Sequence, residues 1–347
     1  LYDNSYIDVS FSEPAYSAGA GTLATTAPIA ADFSLIILPG TGQASLATPW
    51  TYITKVENMG DAFTYYRLSL DLSGPLPNGN EQLRVNPMPV IGALGPGTVG
   101  IVDACGNASG TDQNIQNNTV SLHDKEPPYF TNITIYAPDS SYVDIVFNEN
   151  VYGISGGPGF AGSGDLEADD FSLSLAVTDG NTDPSATLTT WDVSNIGVYP
   201  TNVWRLFITL EGSANGSEIL TVEPVQGAIW DLSQNDASTN QIDNSGFLWD
   251  TLPPYIIATE VLAPDNSFID ISFNEPVFKN IAPYDQTLGV EDFSLSLVYT
   301  GTDPSAILSS ITAVETSDYI NYRLTVAYAT GDASANGQEI YTVEPSA

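Results

Sequence analysis

Clustered carboxylate and amide side chains near predicted turns are the groups in this sequence best suited to chemistry. Hard cations such as Ca²⁺ bind about six to eight oxygens from carboxylates, amides and backbone carbonyls. The sequence offers two such groups, one in each of two similar segments. The first group is Asp103, Asn107 and Asp124, with Glu13 nearby if the strand ends meet, and the second is Asp231, Asn235, Asp250 and Glu149. We therefore predict calcium (metal) sites at domain ends.

A second interpretation of these acids stays open. Asp and Asn are common turn formers on solvated surfaces, and neither group has the spacing of an EF-hand loop. The overall charge favours bound cations, because 42 Asp and Glu against 7 Lys and Arg give a formal net charge of −35. Unscreened self-repulsion of that size opposes compaction.

The same composition excludes several classes of function. A charge of −35 would repel nucleic-acid phosphates. With one cysteine, Cys105, and one histidine, His123, the chain can form neither an internal disulfide nor a Cys/His zinc cluster. Paired carboxylates of the glycosidase type stay open, but an active site should break an internal repeat that these acids mostly follow. We expect no enzymatic activity.

Two further motifs have structural explanations. Residues 157–162 match G-x-G-x-x-G, but Pro158 stiffens the segment and no helix follows, so we predict a loop and no dinucleotide site.

Three of the seven basic residues occupy equivalent positions, and a guanidinium can form two parallel bonds with a carboxylate. We predict that Arg67, Arg205 and Arg323 each pair with a repeat-equivalent acid such as Glu81, Glu218 or Glu339.

Internal repeats determine the organisation of the chain. The segment at residues 3–14 (DNSYIDVSFSEP) returns at 139–150 and at 265–276, and Asp-Phe-Ser-Leu follows each copy. We predict three domains: repeat 1 (1–124, first strand missing), repeat 2 (125–250) and repeat 3 (251–347, truncated at its C-terminal end). We also expect either that the chain is a window of a longer array or that neighbouring molecules complete its terminal edges.

Alternating hydrophobic residues predict strands. Ile7, Val9 and Phe11 would point to one face while Asp8 and Ser10 point to the other. Turn residues separate such segments about every ten positions, and no long amphipathic helix is visible. The predicted fold class is all-β, with tandem Ig-like antiparallel β-sandwich domains in a rod-like array. The Pro-Pro pairs at 127–128 and 253–254 would stiffen the junctions.

These motifs resemble a known family. Phe-x-Glu-Pro at a strand end, Asp-Phe-Ser-Leu, Ile-x-Asp-x-x-Gly-Asn and Asp-x-x-Pro-Pro are similar to the bacterial Ig-like tandem repeat domains of large cell-surface adhesins or surface filament proteins. The resemblance implies an extracellular stalk, often stiffened by calcium, without catalysis. Repeat 2 departs from the pattern at Asn150, where Pro is missing, and at Gln234, where Gly is missing.

The predicted function is therefore a structural or adhesive stalk or filament at the extracellular cell surface. Its expected partners are neighbouring copies or further repeats of the same chain, and a surface glycan or host ligand. No membrane-spanning segment is visible. One alternative is a glycan-binding region that uses exposed aromatics such as Trp50, Trp191 or Tyr199. Another is an accessory module of a secreted hydrolase.

Overall fold

Strands make up almost all of the regular structure in this protein. The computed structural model describes residues 4–20, 26–38, 42–46, 53–60, 62–111, 117–156, 161–178, 186–198, 201–262, 266–279, 285–299, 306–333 and 339–346. The chain divides into two compact units, Leu1–Thr251 (unit 1) and Leu252–Ala347 (unit 2). All named sheets are antiparallel, which confirms the prediction of an all-β, sandwich-type fold. Trp50, Tyr199 and residues 157–160 of the Gly-rich loop lie outside the described residues.

The part of unit 1 that contains repeat 1 forms two three-stranded sheets, in the orders β1-β6-β5 and β10-β8-β3, and two small pairs, β2-β9 and β4-β7. Its strands are β1 (Tyr6–Ser10), β2 (Tyr16–Ser17), β3 (Phe33–Ile37), β4 (Ser45–Leu46), β5 (Ile53–Asn58), β6 (Tyr65–Leu70), β7 (Leu72–Ser73), β8 (Gln82–Pro87), β9 (Ile101–Val102) and β10 (Thr119–Ser121). Short 3₁₀ helices span Ala18–Ala20 and Ala30–Asp32.

The part of unit 1 that contains repeat 2 forms a four-stranded sheet, β11-β12-β15-β14, and a three-stranded sheet, β13-β16-β17. The strands are β11 (Phe130–Ile135), β12 (Tyr142–Phe147), β13 (Phe171–Val177), β14 (Ala186–Asn195), β15 (Val203–Gly212), β16 (Glu218–Pro224) and β17 (Ser245–Phe247). A 3₁₀ helix at Ala168–Asp170 precedes β13. The two parts of unit 1 have separate hydrophobic cores.

Unit 2 contains a four-stranded sheet, β18-β19-β22-β21, and a two-stranded sheet, β20-β23. The strands are β18 (Ile256–Leu262), β19 (Phe268–Phe273), β20 (Phe293–Tyr299), β21 (Ala306–Thr316), β22 (Asn321–Ala333) and β23 (Glu339–Pro345), and a 3₁₀ helix spans Val290–Asp292. In the described part of the chain, every helix is too short or too polar to cross a membrane.

Strand alternation places the core where the sequence predicts it. In β12, Val143, Ile145 and Phe147 are buried, whereas Tyr142 and Asp144 are partly exposed on the opposite face. Side chains of successive strand residues point to opposite faces of a sheet, so one register satisfies all three apolar positions. The buried residues of β12 pack in a cluster with residues of β13, β15 and β16.

A left-handed residue precedes the equivalent strands β1, β12 and β19. Asn4, Ser140 and Asn266 have φ values of 56°, 54° and 55°. Asn tolerates this backbone region better than most residues. Asn4 also exchanges two 2.8 Å hydrogen bonds with the backbone of His123, and the Ser140 Oγ accepts one from the Trp249 N–H. These contacts tie the end of repeat 1 to the start of β1 and the end of repeat 2 to the start of β12.

The repeated arginines pair with repeat-equivalent acids, as predicted, but these acids are aspartates and not the glutamates given as examples. Arg67 binds Asp8 through two 2.8 Å bonds, and the ring of Tyr6 lies 3.6 Å from the guanidinium carbon. Arginine and aspartate are directly opposite in the register of β1 and β6, on the outer face of the sheet. Arg205 with Asp144 and Arg323 with Asp270 form the same pair in their own sheets.

Glu81 has a different structural role from the one predicted. Its side chain is fully buried, and its carboxylate accepts hydrogen bonds from the backbone N–H groups of Gln43, Ala44 and Asn78. Burial opposes its charge, but these donors outweigh burial and lower the pKa of Glu81. Glu218 is likewise buried and accepts from the backbone N–H groups of Ala186 and Asn215. These glutamates therefore hold loops together.

Candidate cation site at Asp124, Glu149 and Asp231

Three carboxylates from separate segments of unit 1 meet in space. A carboxylate oxygen from each of Asp124, Glu149 and Asp231 lies within 4.8 Å of the others. Asp124 follows β10, Glu149 follows β12, and Asp231 follows an isolated bridge at Trp230. We call these residues the three-carboxylate cluster, and no other described residues form a comparable group.

Asp231 is held by a tight loop that closes on Asn235. Its two carboxylate oxygens accept bonds from the Asn235 N–H at 2.7 Å and from Asn235 Nδ2 at 2.6 Å. Its own N–H donates to the Asn235 carbonyl at 3.1 Å. The Asp231 side chain is fully buried. This loop therefore fixes the position of the most enclosed carboxylate of the cluster.

Repeat 1 contains the same loop in an exposed setting. Asp103 accepts bonds from the Asn107 N–H at 2.8 Å and from Asn107 Nδ2 at 2.6 Å. Gly106 has φ 83°, and Gln234 has φ 70° at the equivalent position of repeat 2. The missing glycine at 234 therefore leaves the turn geometry unchanged. Asp103 is not part of a three-carboxylate group among the described residues.

An Asn-Gly turn positions Asp124. Gly79 has φ 79°, and a Cβ added there would lie 3.2 Å from the Asp124 Cβ, so glycine allows this close approach. The Asp124 Oδ1 accepts a 3.0 Å bond from the Glu126 N–H. The Pro77 carbonyl accepts from the N–H groups of Lys125 and Glu126. The segment that leaves repeat 1 is thus anchored on both sides of the carboxylate.

Glu149 is positioned by the residue before it. The Asn148 Oδ1 accepts a 2.8 Å bond from the Tyr129 N–H, while Asn148 Nδ2 donates to Glu149 Oε1 at 3.4 Å. Asn148 therefore connects the start of β11 to the end of β12.

The electrostatic environment of the cluster disfavours three bare negative charges. Burial, reinforced by the neighbouring carboxylates, raises the pKa of Asp124 to about 6 and the pKa of Glu149 to about 8. Burial also raises the pKa of Asp231. None of the ion pairs found among the described Lys and Arg residues involves these three acids. A cation would supply the missing positive charge.

The donor set fits a hard cation. Three carboxylates offer up to six oxygens, and carbonyl groups and water can complete the shell that Ca²⁺ requires. A cleft of about 450 Å³ lies beside Asp124 and Glu149 and is also lined by Asn78, His123 and Ser233. Thiol ligands are absent from this group, which makes it a poor match for soft metals.

The structure groups the predicted ligands differently from the sequence. Asp124, which was grouped with Asp103, lies beside Glu149 and Asp231. The repeat 2 loop of Asp231 and Asn235 therefore meets a carboxylate from the end of repeat 1. Three predicted acids lie outside the cluster, namely Glu13, Asp103 and Asp250. The two predicted asparagines, Asn107 and Asn235, hydrogen-bond the aspartates of their own loops. Asp250 instead packs on Gly216, as Asp124 packs on Gly79.

A signal for this arrangement was present in the sequence. Asp124 lies just before Pro127 and Pro128, which lead directly into β11, the neighbour of β12. Because the start of β11 pairs with the end of β12, this segment runs toward the end of β12, where Glu149 is found. No protein-family model and no curated protein sequence matches this chain.

Proposed function

We propose that this protein is part of an extracellular stalk or filament built from tandem Ig-like sandwiches, with calcium stiffening the junction between repeats 1 and 2. The observation that carries the proposal is the three-carboxylate cluster, in which Asp124 from the end of repeat 1 meets two acids of repeat 2. A cation shared in this way would restrain the segment joining the repeats.

Asp124, Glu149 and Asp231 would hold the calcium ion. Bound calcium would offset the repulsion and burial that raise the pKa values of these acids. Occupancy would therefore favour the charged form of the cluster and, with it, the contact between the two repeats. Surface location and adhesion agree with the acidic, lysine-poor composition, which keeps a repetitive β protein soluble.

Thermal unfolding with calcium and with a chelator tests the calcium proposal. A ligand that binds only the folded state at about 100 times its Kd stabilises the protein by about 2.7 kcal/mol. We expect the unfolding midpoint of unit 1 to fall by several degrees when EGTA replaces calcium, and Mg²⁺ to restore less of the loss. Equal midpoints in the two buffers would refute calcium binding.

A matched pair of variants assigns the site. Glu149→Gln removes one carboxylate ligand from the cluster, and we expect it to abolish most of the calcium-dependent stabilisation. Glu13→Gln makes the same change at the equivalent position of repeat 1, outside the cluster. It should leave the calcium effect intact. Equal losses in both variants would place the ion elsewhere.

Labelling of intact source cells tests the location. We expect an antibody against this chain to stain unpermeabilised cells, and external protease to remove the signal. Staining that appears only after permeabilisation would contradict an extracellular stalk, even if calcium stabilises the purified protein.

A further inference from the structure

Two large aromatic side chains are exposed at the end of repeat 2. Phe247 is 58% exposed and Trp249 is 50% exposed. The indole of Trp249 is oriented by a 3.4 Å bond from Nε1 to the Ile135 carbonyl, and its backbone N–H donates to Ser140 Oγ at 2.7 Å. Exposed aromatics held in one orientation are typical of binding surfaces.

These residues border a groove between β11 and β17. The groove has a volume of about 450 Å³ and is lined by Ile133 to Ile135 on one side and by Ser245 to Asp250 on the other. That volume lies within the range of ligand pockets, which combine apolar walls with a few polar groups. Both walls belong to unit 1.

Gly246 keeps the floor of this groove open. Its φ is not in the left-handed region, so the backbone does not require glycine there. A Cβ added to Gly246 in β17 would lie 3.1 Å from the Cδ1 of Ile135 in β11. Glycine within a strand weakens the strand, and it often marks a place where a ligand or another backbone approaches closely.

Repeat 1 carries different residues at the positions that border the groove. The positions equivalent to Gly246, Phe247 and Trp249 are Val120, Ser121 and His123 in and after β10. The intervening leucine is buried in both repeats, as Leu122 and Leu248. The core position is therefore shared, while the outward positions are aromatic in repeat 2 and not in repeat 1. Among the described residues, repeat 1 has no strand equivalent to β11, so the aromatic pair and the groove occur together in repeat 2.

We propose that the groove binds a neutral oligosaccharide. Phe247 ends β17 and Trp249 lies two residues further on, at most about 7 Å along the chain. Both residues line the groove, so both rings can contact the apolar faces of sugar units. Thr134, Ser245 and Asp250 supply hydroxyl and carboxylate groups at the groove for sugar hydroxyls. Asp250 and the net charge of −35 disfavour anionic ligands. The proposal is independent of calcium binding.

Titration with a panel of neutral hexasaccharides, comprising cellohexaose, maltohexaose, mannohexaose and chitohexaose, tests this proposal. We expect at least one to bind with a change in tryptophan fluorescence, and a heparin hexasaccharide not to bind. The variant Phe247→Ser/Trp249→His introduces the residues that repeat 1 carries at these positions. Losing an aromatic anchor should weaken binding about tenfold or more.

The control variant is Phe207→Thr. Phe207 is 46% exposed on the outer face of β15, and repeat 3 carries Thr325 at the equivalent position. Phe207→Thr should bind the oligosaccharide as tightly as the unaltered protein does. Binding by both variants is measured by calorimetry, because calorimetry does not depend on the fluorescence of Trp249. An unchanged unfolding midpoint shows that each variant is folded. The proposal is overturned if no member of the panel binds, if the double variant binds equally well, or if the groove instead mediates self-association that the double variant abolishes.

Discussion

Equivalent aromatic residues at one core position use their polar atoms differently. Tyr66 is completely buried, and its hydroxyl donates a 2.6 Å bond to the Ala15 carbonyl. Tyr322 makes the same kind of bond to the Val277 carbonyl at 2.8 Å. In repeat 2 the position is Trp204, whose buried Nε1 has no hydrogen-bond partner among the described residues. The tyrosine hydroxyl thus joins β6 to the segment that follows β1.

Tyr66→Phe should lower stability at neutral pH by about 1 kcal/mol, because it removes a buried hydrogen bond. Burial raises the pKa of Tyr66 to about 12. The unfolded side chain loses its proton near pH 10, whereas the folded one keeps it, so the contribution of this group falls as pH rises from about 10 to about 12. Urea unfolding of both proteins at pH 8 and pH 11 measures the difference. A difference that does not shrink at pH 11 would contradict this account.

Strand elements were more predictable than the contacts between loops. The alternation in residues 6–11 and 142–147 was sufficient to locate β1 and β12, because burial of one face permits one register. The type of arginine partner, a repeat-equivalent acid, was predictable, but which acid it is depends on strand pairing. Asp8 and Arg67 are opposite only through strand pairing.

The turn at Gly79 links an element to the candidate site. Gly79→Ala should cost about 1–2 kcal/mol from the left-handed backbone alone, and its Cβ would also press on Asp124. Gly92→Ala is the matched control, because Gly92 has φ 96° and no neighbour within 4 Å of an added Cβ. We expect both variants to be destabilised, but only Gly79→Ala to lose calcium-dependent stabilisation. Chemical unfolding with calcium and with EGTA measures both the stability and its dependence on calcium. If calcium stabilises the two variants equally, the turn at Gly79 does not position the cation site.

At the scale of the whole molecule, the sequence predicts the all-β class and the internal repeats. It does not predict which acids form the three-carboxylate cluster. Asp124 and Asp231 are distant in sequence, and their separation in space depends on the path of the segment entering β11. A pattern of acids within one repeat carries no information about which repeat supplies the remaining ligand. The exposure of Phe247 and Trp249 likewise depends on the groove beside β11.

The net charge of −35 makes a prediction about the protein as a whole. Salt screens repulsion between surface charges, over a Debye length of about 30 Å at 0.01 M and about 10 Å at 0.1 M. We expect the unfolding midpoint to rise by a few degrees when NaCl is raised across this range with EGTA present. Choline chloride, whose cation is too large for the cluster, should produce a similar rise. A falling midpoint would show that attractive ion pairs dominate.

Asp124 belongs to repeat 1 but lies in a cluster with two acids of repeat 2. This affects what is inherited when a segment of the gene is duplicated. A segment cut at residues 125–250 keeps Glu149 and Asp231 but leaves Asp124 behind. The boundary between repeats 1 and 2 therefore separates Asp124 from the other two members of the cluster. A gene segment that is copied or recombined at residue 124/125 carries all strands of repeat 2, while the complete cluster depends on which segment precedes it. Order along the gene, and not only the number of copies, then determines where a junction carries three carboxylates.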